Sequence, residues 1–397
     1  MKNIFTITVL SFIIITFLAR EILAIPAFAR KYNMTCKTCH SPFPSLKAYG
    51  NDFAGNGFQL KDKDAPRYYV DTGDEELSLI RDFPLAARLE GYITYNQEKS
   101  EQSDFYAPVL FKILTGGAIT NDISYYVYYI LETGEVGKIE DAWFMFNNLF
   151  GSELDFTIGQ FQVCDPLFKR ELRLTRDDYY IYKVRPGNSM VDLTYDRGIM
   201  LGYGFESGTD LVLEVVNGSG IGEEFINGTF DNDKYKNLFG RISQDLSDNF
   251  RLGGFIYWGK EDGSSDTINT YNNEITFWGI DATVGVEMLE LNLQYGNRND
   301  NNPFFLPSVR VPEDPRYDIK TYGGFAELIY RPEGDESNWY IAALYNQIES
   351  DESSLDYKSV TFHLGYLVAR NIRLVGEFTH NIKNEFGQVG LGFVTAF

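Results

Sequence analysis

Met288-Leu289-Glu290-Leu291-Asn292-Leu293-Gln294-Tyr295 alternates apolar and polar residues without a break. Successive side chains of a strand point to opposite faces, so Leu289, Leu291, Leu293 and Tyr295 share one face and Glu290, Asn292 and Gln294 the other. The same period recurs far from this stretch. Leu89, Gly91, Ile93 and Tyr95 oppose Arg88, Glu90, Tyr92 and Thr94, and near the other end Val389, Leu391, Phe393, Thr395 and Phe397 share a face. Alternation alone leaves two architectures open. A soluble sandwich buries its apolar face in a shared core, whereas a membrane barrel turns that face to lipid and its polar face to a lumen.

Connection lengths separate the two. About sixteen strands of the ~10 residues needed to cross a bilayer at a tilt are expected. They begin near Ala86, Tyr106, Ile123, Ile139, Leu154, Asp196, Leu211, Asn237, Phe250, Asn273, Met288, Lys320, Asn338, Tyr357, Ile372 and Phe386. Thr120 to Asp122, Asp245 to Asn249, Gly285 to Glu287 and Ala369 to Asn371 form a short series of turns. Cys164 to Pro186, Asn217 to Lys236 and Asn297 to Ile319 form a long one. Short periplasmic turns alternating with long outer loops mark bacterial outer-membrane barrels, and an even strand number leaves both ends of the barrel sequence in the periplasm. Aromatic residues make up 16% of the chain (31 Phe, 27 Tyr and 4 Trp) and Gly contributes 36 residues. That composition suits strands with aromatic girdles. The expected fold is a mainly β outer-membrane antiparallel barrel over Pro84 to Phe397.

Met1 to Ala24 reads as a cleaved secretory signal, with Lys2 ahead of an apolar run from Ile4 to Leu18 and small Ala24 at the cut. Removing Lys2, Arg20 and Glu21 leaves 33 basic against 55 acidic residues, a net charge of −22. Such acidity argues against nucleic acid as a partner. It would attract cations, though solvating acidic loops explain it equally well.

The exported chain then presents Cys36-Lys37-Thr38-Cys39-His40. C-x-x-C-H places two thiols to form thioethers with haem vinyls and a histidine to ligate the iron, so one covalent haem c is expected on Cys36, Cys39 and His40. A zinc site would want a second Cys or His pair, and a thioredoxin-like site a βαβ context. With three Cys and three His in 397 residues, neither is supported. Residues 25–83 therefore form a small monohaem segment and linker. In it Leu46, Tyr49 and Phe53 fall on one face of a helix expected between Pro44 and Gly57, and Lys61 to Asp82 reads as the linker.

Ile25-Pro26-Ala27-Phe28-Ala29-Arg30-Lys31-Tyr32 precedes the haem motif, and Phe43-Pro44-Ser45-Leu46, Gly50, Phe53, Asn56-Gly57 and Phe83-Pro84-Leu85-Ala86 follow it. Over about Ile25 to Tyr92 this pattern resembles the fused monohaem cytochrome-porin family of the bacterial outer membrane, which includes ferrous iron oxidases. The resemblance implies an oxidoreductase that takes electrons from extracellular ferrous iron and passes them to a periplasmic carrier such as a soluble cytochrome. It implies the architecture more firmly than iron as donor. Two other functions stay open: a passive porin in which the haem segment is a plug, and a conduit running outward to an external acceptor.

A barrel of this size encloses a lumen that the haem segment is small enough to enter, and the segment is expected to insert there so that the haem relays electrons across the outer membrane. No His or Met lies between Ser41 and Phe83 to serve as sixth iron ligand. His363, turned inward opposite Val360, Phe362, Leu364 and Tyr366, is the first candidate from the wall, and Met200, inward among Gly198, Gly202 and Gly204, is the second. His380 shares the outward phase of Leu374 and Phe378. Glu90, Glu290 and Glu377 point inward, and Cys164 reads as a buried, inert thiol.

Overall fold

The computed structural model describes residues 27–60, 69–70, 72–74, 76–81, 83–99, 102–222, 228–231, 233–263, 270–307 and 314–397. The signal segment Met1 to Ala24 lies outside the described residues, as does part of the linker Lys61 to Asp82. Sixteen antiparallel strands close into a single barrel. The first strand, Leu85–Asn96, pairs with the last, Phe386–Ala396, from Arg88 opposite Ala396 to Asn96 opposite Gln388. All sixteen strands begin within three residues of the positions expected from the alternation.

The distribution of apolar surface is inverted relative to a soluble protein. Ile280 and Phe362, at mid-strand, are 56% and 53% exposed on the outside, while Arg298 and Asp300 are 1% and 0% exposed within. An outer face of Leu, Ile and aromatic residues suits lipid, where every backbone polar group must be satisfied by a closed ladder. This decides the sandwich-or-barrel question.

The strand ends fall into two sets. One end carries the connections 119–122, 150–153, 205–208, 248–249, 287–288, 331–338 and 370–371, and there the backbone of Phe397 pairs with that of Ala87. The other end carries 163–194, 217–236 and 301–318. The longest loop departs from expectation in two ways: it extends beyond Pro186, and it folds into the lumen. Tyr179, Ile181, Tyr182 and Val184 of the loop pack against inward Phe239, Phe255, Phe277 and Phe325 of the wall. The lumen is therefore apolar along one side, because those positions meet protein rather than water.

Candidate functional site

Residues 27–60 build three short helices, α1 (Ala27–Tyr32), α2 (Cys36–Cys39) and α3 (Ala48–Gly55). Cys36 and Cys39 lie one turn apart on α2, and both are half-buried free thiols, which burial pushes above their ordinary pKa. His40 follows in extended conformation. The next five residues fold back beneath it: Ser41 N donates to Ser45 O and Lys47 N to Cys39 O, both at 3.0 Å. That fold presents the Pro44 carbonyl to His40 Nδ1 at 2.8 Å. A carbonyl only accepts, so Nδ1 carries the hydrogen and Nε2 keeps its lone pair in the neutral ring. A metal-bound histidine is held in this way. The Phe43 ring stands edge-on to the imidazole at 4.9 Å.

α3 crosses α2 so closely that a Cβ at Gly50 would collide with the Cys39 carbonyl. Phe53 is buried among Phe28, Tyr32 and Phe58, as an inward helix face predicts, whereas Tyr49 is 44% exposed. Gly57 takes a positive φ of 62°, and Tyr32 donates to the Phe58 carbonyl at 2.7 Å. The chain thereby carries Phe58 into the barrel, where it stacks on Tyr126 at 5.0 Å. The segment thus plugs one side of the short-turn mouth. Rim pairs Lys37–Glu336 and Lys47–Asp335 are solvent-exposed and worth little. Two arginines at this rim of the barrel hold it more firmly: Arg331 Nη1 donates to Ser41 O at 2.6 Å and Arg373 Nη1 to Phe43 O at 3.0 Å.

Above this plug the loop 163–194 forms a septum that meets the wall around the barrel. Glu171 accepts from Lys112 and from Tyr128 and Tyr195, at 2.9 and 3.1 Å for the tyrosines. The Arg176 guanidinium lies 4.4 Å over the Tyr92 ring. Asp177 accepts from Tyr357, Ser359, Thr361 and Asn346, at 2.9–3.2 Å. Tyr179 donates to Glu327 at 3.1 Å, and Arg298 donates to the carbonyls of Val184 and Val191. Between septum and plug lies a cavity of about 1750 Å³, open at the short-turn end. Fourteen carboxylate and six cationic side chains line it, so it favours cations.

His363 is lumenal, as its phase requires, but both ring nitrogens are engaged: Nδ1 with Glu377 at 2.9 Å and Nε2 with the Tyr340 hydroxyl at 3.3 Å. It is 2% exposed and is not among the residues lining the cavity. Met200 faces that cavity and packs on the septum core. His380 is half-buried on the outward side, paired with Val360 and Gly387. Cys164 is fully buried in the septum core, where burial pushes its thiol well up. Glu90 pairs with Arg88, Glu290 with Arg331, and Glu377 with His363 and the septum backbone. Among the described residues no group of three or more His, Cys, Asp or Glu side chains is arranged to hold a metal ion.

Nothing in the sequence alone singles out Arg331 or Tyr340. Arg373 alternates with outward Ile372 and Leu374, which marks it as an inward cation, but its partner 330 residues away in sequence has no sequence signature.

No protein-family model matches this chain, and no curated protein matches it. Solved structures do. An anion-selective porin from Comamonas acidovorans superposes with TM-score 0.55 at 10% identity, over 80% of this chain and 99% of that one. OmpT, an outer-membrane protein of Vibrio cholerae, gives 0.54 at 10% over the same shares. The outer-membrane channel DcaP of Acinetobacter baumannii gives 0.52 at 13%, over 80% and 97%. The fold is that of the sixteen-stranded outer-membrane porins.

Proposed function

We propose that this chain is an outer-membrane electron conduit, carrying one covalent haem c at the periplasmic mouth of a porin-like barrel. It takes electrons from an external donor, ferrous iron by the family resemblance, and yields them to a soluble periplasmic carrier. The observation that carries the reading is the His40 loop, since Cys36 and Cys39 on one turn and an imidazole oriented by Pro44 fit a c-type haem. When bound, that group supplies a one-electron couple.

The protein's residues supply the rest. Short turns are periplasmic in outer-membrane barrels, so the plug faces the compartment that holds soluble carriers. The septum separates the plug from the outer loops and limits solute flow. The acidic vestibule lowers the energy of cations, including basic protein surfaces, beside the plug.

A passive porin with a haem-bearing plug is the second reading, favoured by the likeness to channel proteins and by the open vestibule. Oriented proteoliposomes separate the two. Ferrous iron added outside should reduce the haem, and an enclosed cytochrome should reoxidise it. Reduction by a different external donor would keep the conduit and remove iron. Electron exchange with an external acceptor only would reverse the direction. Free ion conductance with no electron exchange would establish the porin.

A further inference from the structure

Two buried arginines at the barrel rim reach the loop that follows the haem motif, and they differ in one respect. Arg331 is 8% exposed and ion-paired with Glu290 at 3.2 Å. Arg373 is 3% exposed and forms no ion pair among the described residues. Its Nη1 is shared between Phe43 O at 3.0 Å and the Tyr340 hydroxyl at 2.6 Å, and its Nε has no hydrogen-bond partner. Glu90 feels its charge from beyond ion-pair distance and is itself bound to Arg88 at 2.5 Å, so the guanidinium is only partly compensated, which is costly in so buried a place unless something nearby gains from its charge.

The contact is also mechanical. Arg373 holds the carbonyl of Phe43, and the next carbonyl along, that of Pro44, orients His40. The Phe43 ring lies against His40 from the same loop. One wall side chain thus fixes the Phe43-Pro44 unit from outside while that unit fixes the imidazole from inside.

Resting on the haem reading above, we infer that Arg373 is a positioning residue that raises the reduction potential of the iron held by His40. One electron enters in the couple, with no bond broken and no proton moved. The oxidised centre carries one positive charge more than the reduced one, so a buried, unpaired cation beside its ligand loop disfavours oxidation. The charge of Arg331 is offset by Glu290 and contributes less.

The test is spectroelectrochemical titration of the purified full-length holoprotein. In Arg373→Gln the ratio of reduced to oxidised haem at the wild-type midpoint should fall about tenfold, which is roughly 59 mV for a one-electron couple. Arg373→Lys keeps the charge and should stay within about twofold of wild type. Arg331→Gln should shift by less than half of the logarithmic change in Arg373→Gln. An unchanged midpoint in Arg373→Gln with haem attached overturns the inference alone. Should that variant fail to insert, a tenfold fall in Arg373→Lys overturns the charge argument. Wild-type protein without a haem absorption spectrum would overturn the underlying reading, and the inference with it.

Discussion

His363 Nδ1 lies 2.9 Å from Glu377 Oε2, and the same carboxylate accepts the backbone N–H groups of Arg176 and Asp177 at 2.7 and 3.2 Å. On the other side of the ring, Tyr340 continues the chain to Arg373 and so to Phe43. Septum and plug are therefore joined through the wall by one line of hydrogen bonds, with His363 near its middle.

His363→Ala should leave the visible spectrum of the proposed haem unchanged, since both nitrogens already serve this line. It should also raise ion conductance in planar bilayers by loosening the septum. A change from low to high spin would instead assign His363 to the iron.

Cys36→Ser or Cys39→Ser should remove one thioether, and the double variant all covalently bound haem. The barrel should still show heat-modifiable migration, because the strand ladder closes without the plug. Haem-stained gels read the first outcome. Covalent haem persisting in the double variant would sink the attachment assignment.

Acid should open the septum only at low pH. Burial works against ionising Asp178, yet Arg173 and Arg170 hold its carboxyl well below the ordinary range; for Glu171, burial is outweighed by Lys112, Arg173 and Arg88 together, which bring the value to about 2. Depressed values stabilise docking above the unfolded carboxyl value near 4, and that stability is lost as pH falls through the folded ones. Asp177 works the other way: burial raises it, despite the hydroxyls of Ser359 and Thr361, so its ionisation opposes docking. Conductance should stay flat from pH 8 to 5 and rise below about pH 4. A rise centred on pH 6 would exclude these carboxylates as its cause.

Ile280→Arg, on the outer face at mid-strand, should destabilise the inserted barrel by about 2–4 kcal/mol. Thr283→Arg, three residues along and lining the vestibule, should insert nearly as wild type. Denaturant titration of insertion into lipid vesicles compares them; equal penalties would contradict the assigned faces.

The barrel was legible because its two faces meet different solvents, and Met288 to Tyr295 records that difference residue by residue. Turn lengths added the two ends. The septum was not legible as a septum, for Cys164 to Pro186 reads only as a long loop. Its landing points, such as Asp177 on Ser359 and Thr361, join residues far apart in sequence. A faint trace exists in Phe255 and Phe277, apolar residues on strand faces that should have been wet. The inward phase of His363 was readable, but not its partners, since Glu377 and Tyr340 become neighbours only through strand register.

The pairing of Arg88 to Asn96 with Gln388 to Ala396 has a consequence for biogenesis. The ladder cannot close until its final strand emerges, because that strand alone supplies the missing neighbour of the first. The plug precedes the first strand by a linker and docks across the same rim, through Arg30 on the Leu85 carbonyl and Arg373 on Phe43. Arg373 itself belongs to the next-to-last strand. The docking surface for the plug is thus complete only once the last two strands have paired.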